Sequence, residues 1–310
     1  MRSDGQRPTL MSEIWHRLRF VIRERWFRHV VCGRPSSDHE GFFDTYPLFL
    51  TTSATRPERN RLNHRHRALI QSNGGIISGQ RILDLASHDG RWTFAAHKAG
   101  ASYALGIEAR SHLIDASRSN MGEYGVPANQ VEFIQGDVLA ELDRLESGQF
   151  DTVFCFGFLY HTLDHMPLLR RIARLRPANL VIDTAISVRP SSIIEIREEK
   201  IDHESNGAIG EFGTPGRGVI GKPTKSALEV MLQAAGFRPL RYYDWGHAGV
   251  TAWNDLEAYY LGARVSLTAA AYLETQSNGD SDFDDSASEN PLPPSVLQAG
   301  VLNRKRNDVA

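Results

Sequence analysis

The sequence of 310 residues contains very little cysteine and no long apolar run. Its two cysteines, Cys32 and Cys155, cannot form a disulfide framework, and neither lies in a Cys/His spacing typical of a metal site. Such sparse use of cysteine is typical of a reducing compartment, so we expect a cytoplasmic protein without a metal centre. No apolar stretch approaches the roughly 20 residues of a membrane helix. Charges also occupy the N-terminal positions where a signal peptide needs an apolar segment.

The sequence also lacks a strong net charge, which is formally −2. This balance argues against attraction of the whole protein to nucleic acid or to an anionic membrane. The charge is uneven, because residues 1–67 hold 13 arginines, five histidines and 7 acidic residues but no lysine. Residues 11–31 have apolar side chains at helical spacing with arginines between them. This helix is predicted to be a cap on the domain or on a second subunit, an RNA-binding surface, or a membrane-surface helix.

Strand-like and helix-like segments alternate from residue 81 to residue 184. The predicted strands are Arg81–Ala86, Tyr103–Glu108, Val131–Gln135, Asp151–Gly157 and Leu180–Thr184. The predicted helices between them are Trp92–Ala99, Arg110–Tyr124, Val138–Leu145 and His165–Leu175. This alternation indicates an α/β protein with a doubly wound, mostly parallel sheet.

The regions on either side of this alternation have other compositions. Residues 1–64 are predicted to form an N-terminal helical cap, with a loop-like stretch over 33–56 and a helix over 57–72 that leads into the main domain. The main domain is predicted to span residues 65–274. Residues 275–310 are rich in Ser, Asn, Asp and Pro, which predicts a disordered tail.

The main domain contains a long glycine-rich insert over residues 185–222. A segment of this length inside a compact domain is usually a lid or substrate loop, or else disordered. After it, Pro223 is predicted to open a helix that Gly236 closes. Two further strands are predicted at Arg238–Asp244 and Ala263–Ala270.

Glycine is scarce where a nucleotide-binding turn usually has several. The stretch RILDLASHDGRWTFAA, residues 81–96, has the form of a buried strand, a tight turn and the start of a helix. Only Gly90 remains in the turn, and Ala86 stands where the first glycine of G-x-G-x-x-G would be. A pyrophosphate needs close backbone approach at such a turn, so a dinucleotide oxidoreductase is disfavoured. A nucleoside ligand without phosphates makes fewer demands on the glycine content of this turn.

Acidic residues follow the first three predicted strands. Asp84 lies beside the turn, Glu108 ends the second strand about 20 residues on, and Asp137 follows the third. Glu108 can accept from two ribose hydroxyls, and Asp137 can accept from an adenine amine. Each acid also has a structural alternative. Asp84 can accept hydrogen bonds from the turn amides. The negative charge of Glu108 can interact favourably with the N-terminus of the following helix. Asp137 can be the N-cap of the helix after the third strand.

These segments together resemble the class I S-adenosylmethionine-dependent methyltransferases. ILDLASHDGRWTFAA, GIEAR, QGDV and FDTVFCFGFLYHTLDH occur in the order typical of that superfamily, and the resemblance covers residues 65–272. It implies a Rossmann-like fold with one antiparallel strand near the C-terminus, and S-adenosylmethionine as the methyl donor. The donor contacts that it implies are Asp84, Ala86, Ser87, His88, Gly90, Glu108, Ala109, Asp137, Val138 and Phe156.

The chain departs from this superfamily at the turn, which usually contains more glycine. Ala86 is tolerable there if its φ is negative. Ser87 and His88 are expected to narrow the pocket for the methionine part of the donor.

The stretch around the fourth strand is similar to the bacterial tRNA wobble-uridine carboxymethyltransferases. The similarity lies in Gly157–His161 and in the later helix within Pro223–Phe237. Those enzymes use carboxy-S-adenosylmethionine, whose extra carboxylate is met by basic residues and a tyrosine. Tyr160 matches the tyrosine position, but the lysines of that family are missing upstream. Arg59, Arg61 or Arg65 would have to replace them, although arginine and lysine are not equivalent at such sites.

The expected function is therefore methyl transfer from S-adenosylmethionine to an oxygen or nitrogen of an acceptor, expected to be a small molecule. Tyr160 and His161 are the candidate catalytic residues, because they follow the fourth strand and a histidine can act as a base near neutral pH. A tRNA-modifying (carboxy)methyltransferase and a non-catalytic donor-binding or scaffold protein are the alternatives. A homodimer formed through the N-terminal helix is the expected assembly, if one exists.

Overall fold

The computed structural model describes residues 41–53, 59–200, 217–245 and 263–272. The predicted helix over 11–31 and the predicted tail over 275–310 lie outside the described residues, so both stay predictions. Among the described residues, no helix is long and apolar enough to cross a membrane.

Seven of the described strands form one sheet. The strands in chain order are β1 (Arg81–Leu85), β2 (Tyr103–Glu108), β3 (Val131–Gln135), β4 (Thr152–Phe156), β5 (Asn179–Ala185), β6 (Ile194–Lys200), β7 (Arg217–Pro223), β8 (Phe237–Tyr242) and β9 (Arg264–Ala271). The large sheet has the order β3-β2-β1-β4-β5-β9-β8. Strands β1 to β5 are parallel, and β9 runs antiparallel to both of its neighbours. The predicted Rossmann-like, mostly parallel sheet with one antiparallel strand is confirmed.

Helices connect the strands and precede the sheet. They are α1 (Phe42–Thr45), α2 (Leu48–Thr52), α3 (Arg59–Leu69), α4 (Arg91–Lys98), α5 (Ser111–Glu123), α6 (Val138–Arg144), α7 (His165–Arg174) and α8 (Lys225–Ala234). Two 3₁₀ helices lie at Gln71–Ile76 and Leu159–His161. The four predicted helices between the parallel strands are all present, with ends that differ by at most one residue.

The sheet separates two apolar cores because successive strand side chains point to opposite faces. In β4, Phe154 and Phe156 belong to the core that contains α1, α2, α4 and α5. Val153 and Cys155 belong to the other core, which contains α7 and α8. The central strands are thus buried on both faces, as expected for a parallel sheet covered by helices.

The segment before α3 differs from the predicted loop. Its described part, residues 41–53, forms α1 and α2, whose Phe43 and Phe49 are fully buried. Phe49 packs 5.2 Å from Phe94 of α4, and the Leu48 amide donates to the Tyr124 hydroxyl at 2.9 Å. The aromatic residues therefore form core contacts, and each helix is too short for its periodicity to be evident in the sequence.

The glycine-rich insert also differs from the prediction. Its described ends form a two-stranded antiparallel hairpin of β6 and β7, in which Ile196 pairs with Gly221. Pro223 ends β7 and does not open the helix that follows. Thr224 is the N-cap of α8, because its hydroxyl accepts from the Ala227 amide at 3.2 Å. The expectation of a lid, a substrate loop or disorder rested on the length of the insert, and the hairpin shows that its described ends are strands. The alternating apolar residues of β6 indicate the first of these strands.

The buried position of Cys155 leads to a test of this fold. Burial raises the pKa of the Cys155 thiol to about 12. Since the thiolate is the reactive form, a Cys32→Ser variant, which retains only Cys155, should not react with an aromatic disulfide reagent while native. It should react with one equivalent after unfolding in denaturant. Rapid stoichiometric reaction of the native variant would contradict the position of β4 in the core.

Candidate active site

The candidate site lies at the carboxyl ends of the central parallel strands. The strand order reverses between β1 and β4, and ligands of open α/β sheets bind outside the strand ends at such a point. The turn after β1, defined here as Ala86–Gly90, is on one side of this crevice. The 3₁₀ helix Leu159–His161, which follows β4, is on the other side.

The turn has a left-handed backbone at three residues. Ala86 has φ of 54°, His88 57° and Gly90 78°. The condition under which Ala86 was expected to be tolerable, a negative φ, is therefore not met. The left-handed conformation costs a residue with a Cβ atom about 1–2 kcal/mol, so tertiary contacts must hold this turn. One such contact is the hydrogen bond from the Ser87 amide to the Ile107 carbonyl of β2, at 2.9 Å.

Two separate constraints favour glycine at position 90. Its positive φ favours glycine, and a Cβ atom added to it would lie 2.8 Å from Cζ of Phe133 in β3. The turn is thus pressed against the β3 side of the sheet.

Asp84 fastens β1 to the helix after the turn. Its carboxylate accepts from the Thr93 hydroxyl of α4 at 2.7 Å. Burial raises the pKa of Asp84 to about 7, and the nearby Glu108 contributes to the rise. Asp84 thus has a structural contact, as one of the two interpretations of the sequence expected. Its partner is a side chain of α4, whereas the sequence suggested the turn amides.

Glu108 joins the ends of β1 and β2. One of its carboxylate oxygens accepts from the His88 amide at 3.1 Å. The other accepts from the Arg110 amide and from the Arg110 guanidinium, each at 3.1 Å. A carboxylate has about four acceptor directions, so Glu108 retains capacity for ribose hydroxyls.

An ion pair that the sequence analysis missed lies inside the turn. Asp89 is fully buried and accepts from Arg91 Nε at 2.7 Å and from the Thr52 hydroxyl at 2.9 Å. Burial alone would raise the pKa of Asp89, but Arg91, together with His88 and Thr52, holds it well below its usual range. Arg91 also donates to the Ser53 hydroxyl at 2.8 Å. The segment of α2 is therefore bound directly to the turn.

The remaining predicted donor contacts lie around the same strand ends. Asp137 caps α6, because its carboxylate accepts from the Ala140 amide at 3.0 Å. Val138 begins α6 and is buried, whereas Ala109 follows Glu108 and is partly exposed. Phe156 ends β4 and stacks on Phe154, with ring centroids 4.7 Å apart. Asp137 is thus the N-cap that the structural interpretation expected. Its contact with adenine stays a prediction.

The two candidate catalytic residues lie side by side in the 3₁₀ helix after β4. The rings of Tyr160 and His161 have centroids 3.9 Å apart, and both residues are partly exposed. Gly157, which has φ of 78°, starts this connection and donates its amide to the Asp183 carbonyl of β5 at 2.7 Å. Both residues therefore lie in the connection that leaves the carboxyl end of β4, and their catalytic role stays a prediction.

A buried charge cluster next to Tyr160 was also missed. Asp183 of β5 accepts from Arg264 Nε at 3.0 Å and from Arg65 Nε at 3.1 Å. The guanidinium carbon of Arg264 also lies 5.6 Å from the centre of the Tyr160 ring. An aspartate within the apolar run of β5 is a signal in the sequence, but its partners are distant along the chain. No group of histidine, cysteine or acidic residues that could hold a metal is found among the described residues.

The chain matches a protein-family model over part of its length. Residues 82–177 match the family described as "Methyltransferase domain". This segment begins in β1 and ends after α7, so it contains the turn, Glu108 and the 3₁₀ helix with Tyr160 and His161.

Similar curated proteins include two tRNA U34 carboxymethyltransferases. The protein of Pseudomonas syringae pv. syringae (strain B728a) is 26% identical over 186 residues, which are 58% of this chain and 52% of the relative. The protein of Alteromonas mediterranea is 26% identical over 197 residues, with 59% and 53% coverage. The chain thus spans about half the length of the curated relatives that it matches.

Similar solved structures include two methyltransferases. An S-adenosylmethionine-dependent methyltransferase from Mesorhizobium loti has a TM-score of 0.46 and 18% identity, with 66% of this chain and 95% of the other covered. Magnesium protoporphyrin IX methyltransferase from Synechocystis PCC 6803, solved with bound S-adenosylmethionine, has a TM-score of 0.46 and 15% identity, with 81% and 96% coverage.

The crowding at Gly90 can be measured against a matched glycine. Gly148 has nearly the same φ, 79°, but a Cβ atom there would meet nothing within 4 Å. Gly148→Ala should therefore lose only about 1 kcal/mol of unfolding free energy. Gly90→Ala should lose about 1–3 kcal/mol more, because it also overpacks the contact with Phe133. Urea unfolding of both variants checks this, and equal losses would show that the turn is not pressed against β3.

The raised pKa of Asp84 predicts a pH dependence of stability. The pKa of Asp84 is about 7 in the folded protein, whereas its ordinary value is 3.8. Between these two pH values the folded protein therefore keeps a proton on Asp84 that the unfolded chain has lost. This residue's contribution to stability therefore falls as the pH rises from about 4 to 7. Asp84→Asn removes the titration while its side-chain oxygen still accepts from Thr93, so the variant should gain stability relative to wild type between pH 5 and pH 8. Urea unfolding at both pH values tests this.

The control for the change of charge is Asp115→Asn, on the exposed face of α5. If both variants differ from wild type by the same amount at the two pH values, the assignment to Asp84 is wrong.

Proposed function

We propose that this chain, whose residues 82–177 form a methyltransferase domain, transfers a methyl group from S-adenosylmethionine to an oxygen or nitrogen of a small molecule. The observation that carries the proposal is the contact between Glu108 and the amide of His88 at 3.1 Å. It places a carboxylate and a tight turn together at the ends of β1 and β2, next to the point where the strand order reverses.

The residues at the crevice suit a nucleoside ligand better than a pyrophosphate. A pyrophosphate needs several glycines for close backbone approach, and Gly90 is the one glycine of the turn. A ribose diol needs acceptors, which the remaining lone pairs of Glu108 supply. We assign the adenine to the surroundings of Asp137, Val138 and Ala109, and the methionine part to the turn.

The chemistry follows from which residues border the crevice. When bound, S-adenosylmethionine supplies an electrophilic methyl group on a sulfonium. Tyr160 and His161 are assigned to the acceptor side, where holding the nucleophile in line accounts for much of the rate. For a hydroxyl acceptor, the His161 imidazole takes the proton that the oxygen loses as the new bond forms.

The acceptor is assigned to the space between α1 and α2, the 3₁₀ helix with Tyr160 and His161, and the hairpin of β6 and β7. A cytoplasmic location and a homodimer through the N-terminal region belong to the same proposal. They rest on the cysteine content and on the helical spacing of residues 11–31.

A second candidate is transfer of a carboxymethyl group to tRNA. The observation that favours it is the position of Arg264, which lies over the Tyr160 ring and binds Asp183. Arg65, one of the three arginines expected to replace the missing lysines, binds the same aspartate. Basic groups and a tyrosine therefore occur together, as a carboxylated donor requires.

Calorimetric titration separates these candidates. The purified protein is titrated with S-adenosylmethionine, S-adenosylhomocysteine, carboxy-S-adenosylmethionine and NAD. Micromolar binding of the first two and weak binding of the third supports methyl transfer, whereas preference for the carboxylated donor supports the second candidate. Absence of binding to all four would overturn both and indicate a scaffold protein.

Substitution of Glu108 tests the ribose assignment. Glu108→Ala should weaken the affinity for both S-adenosylmethionine and S-adenosylhomocysteine by well over tenfold, because two ribose hydroxyls lose their acceptor. Glu123→Ala, at the exposed end of α5, is the control and should leave the affinity unchanged. An affinity within twofold of wild type in the folded Glu108→Ala protein would remove Glu108 from the donor site.

A further inference from the structure

His88 occupies a position at which this kind of turn usually has glycine. Its φ of 57° lies in the left-handed region, which histidine adopts more readily than most residues with a Cβ atom but still at a cost. Residues held in this region cluster at ligand sites, where the surrounding structure maintains the strain. The identity of this side chain therefore needs an explanation.

Contacts on both sides hold the backbone of His88. Its amide donates to the Glu108 carboxylate at 3.1 Å, and its carbonyl accepts from the Ser117 hydroxyl at 3.0 Å. These bonds involve no side-chain atom of residue 88, so a glycine would make them equally well. The imidazole therefore has no part in these two bonds that hold the backbone.

The imidazole has a defined tautomer because of Arg91. The guanidinium Nη2 of Arg91 lies 2.6 Å from His88 Nδ1. A guanidinium only donates, so Nδ1 accepts and the ring proton resides on Nε2. Asp89 Oδ1, which is 3.3 Å from Nδ1, accepts instead from Arg91 Nε at 2.7 Å. Burial and the charge of Arg91 lower the pKa of His88, which keeps the ring neutral near pH 7.

The N–H of His88 Nε2 is buried and has no acceptor among the described residues. A buried donor without a partner is unfavourable, because it has lost its hydrogen bond to water. Ser87 Oγ of the turn is also buried without a partner among the described residues, but it lies against Gly106 of β2. The Nε2–H of His88 is thus the unpaired side-chain donor of the turn that does not face β2.

We propose that the Nε2–H of His88 donates a hydrogen bond to the carboxylate of the amino-acid part of the bound methyl donor. This inference rests on the proposed function and deepens it. Within the amino-acid part, the carboxylate accepts hydrogen bonds and the ammonium donates them, so the carboxylate is the partner for a donor; the ribose hydroxyls suit the acceptor Glu108. His88 is therefore a specificity-determining residue, which distinguishes donors with an amino-acid part from other adenine nucleosides.

The test compares two substitutions of a left-handed residue by glycine. His88→Gly removes the Nε2–H and leaves a residue that adopts the φ freely. Arg176→Gly, the matched control, relieves a φ of 55° at an exposed residue after α7, outside the turn. Each protein is titrated with S-adenosylhomocysteine and with 5′-methylthioadenosine, which has the same nucleoside but no amino-acid part. A cooperative unfolding transition confirms that each variant is folded.

We expect His88→Gly to weaken binding of S-adenosylhomocysteine about tenfold or more, as for loss of a hydrogen bond to a charged group. Binding of 5′-methylthioadenosine should not change, and Arg176→Gly should retain the affinity for both ligands. Equal or tighter binding of S-adenosylhomocysteine to His88→Gly would overturn the inference, as would equal weakening of both ligands. Wild-type protein that binds neither ligand would instead overturn the proposed function, and the inference with it.

Discussion

The site depends on the hydrogen bond from the His88 amide to the Glu108 carboxylate, which ties the turn after β1 to the end of β2. A left-handed backbone at Ala86 and His88 is unfavourable in isolation. It persists because Glu108, the Ile107 carbonyl and the Ser117 hydroxyl each bind one backbone group of the turn. The parallel register of β1 and β2 brings Glu108 and Ile107 within reach, and α5 supplies Ser117. The turn conformation is therefore a consequence of packing against β2 and α5.

Buried ion pairs connect the N-terminal segment to the same edge of the sheet. Asp89 and Arg91 bind Thr52 and Ser53 at the end of α2. Arg65 of α3 binds Asp183 at the end of β5. Removal of one partner would leave a buried charge uncompensated, which typically costs 3–5 kcal/mol. These contacts fix the position of α2 relative to the turn after β1 and the position of α3 relative to the end of β5.

The order of elements in the main domain could be predicted because its signals are local. The bounds of β2 and β3 agree with the sequence prediction, and Asp84, Glu108 and Asp137 lie at the predicted strand ends. The hairpin could not be predicted from composition, since the glycines of β7 indicated a loop. The sign of φ at Ala86 depends on contacts with β2, which no short window of sequence contains.

The charge cluster shows why the rest of the site could not be predicted. Asp183 is noticeable in the sequence as a carboxylate within an apolar strand, but Arg65 lies 118 positions before it and Arg264 lies 81 positions after it. Both arginines approach only because β9 inserts beside β5 and α3 packs over the strand ends. Pairings over such separations are properties of the topology, and residue type alone predicts neither partner.

The two acids nearest the turn have different roles because their environments differ. Asp84 is buried within β1, has its ionised form disfavoured, and binds the Thr93 hydroxyl. Glu108 is paired with Arg110 and accepts from the amides of His88 and Arg110. A carboxyl group that tends to keep its proton is a poor acceptor for a ribose diol, so Asp84 suits that contact less well than Glu108, to which it is proposed to belong. Asp84 instead joins β1 to α4, which begins directly after the turn.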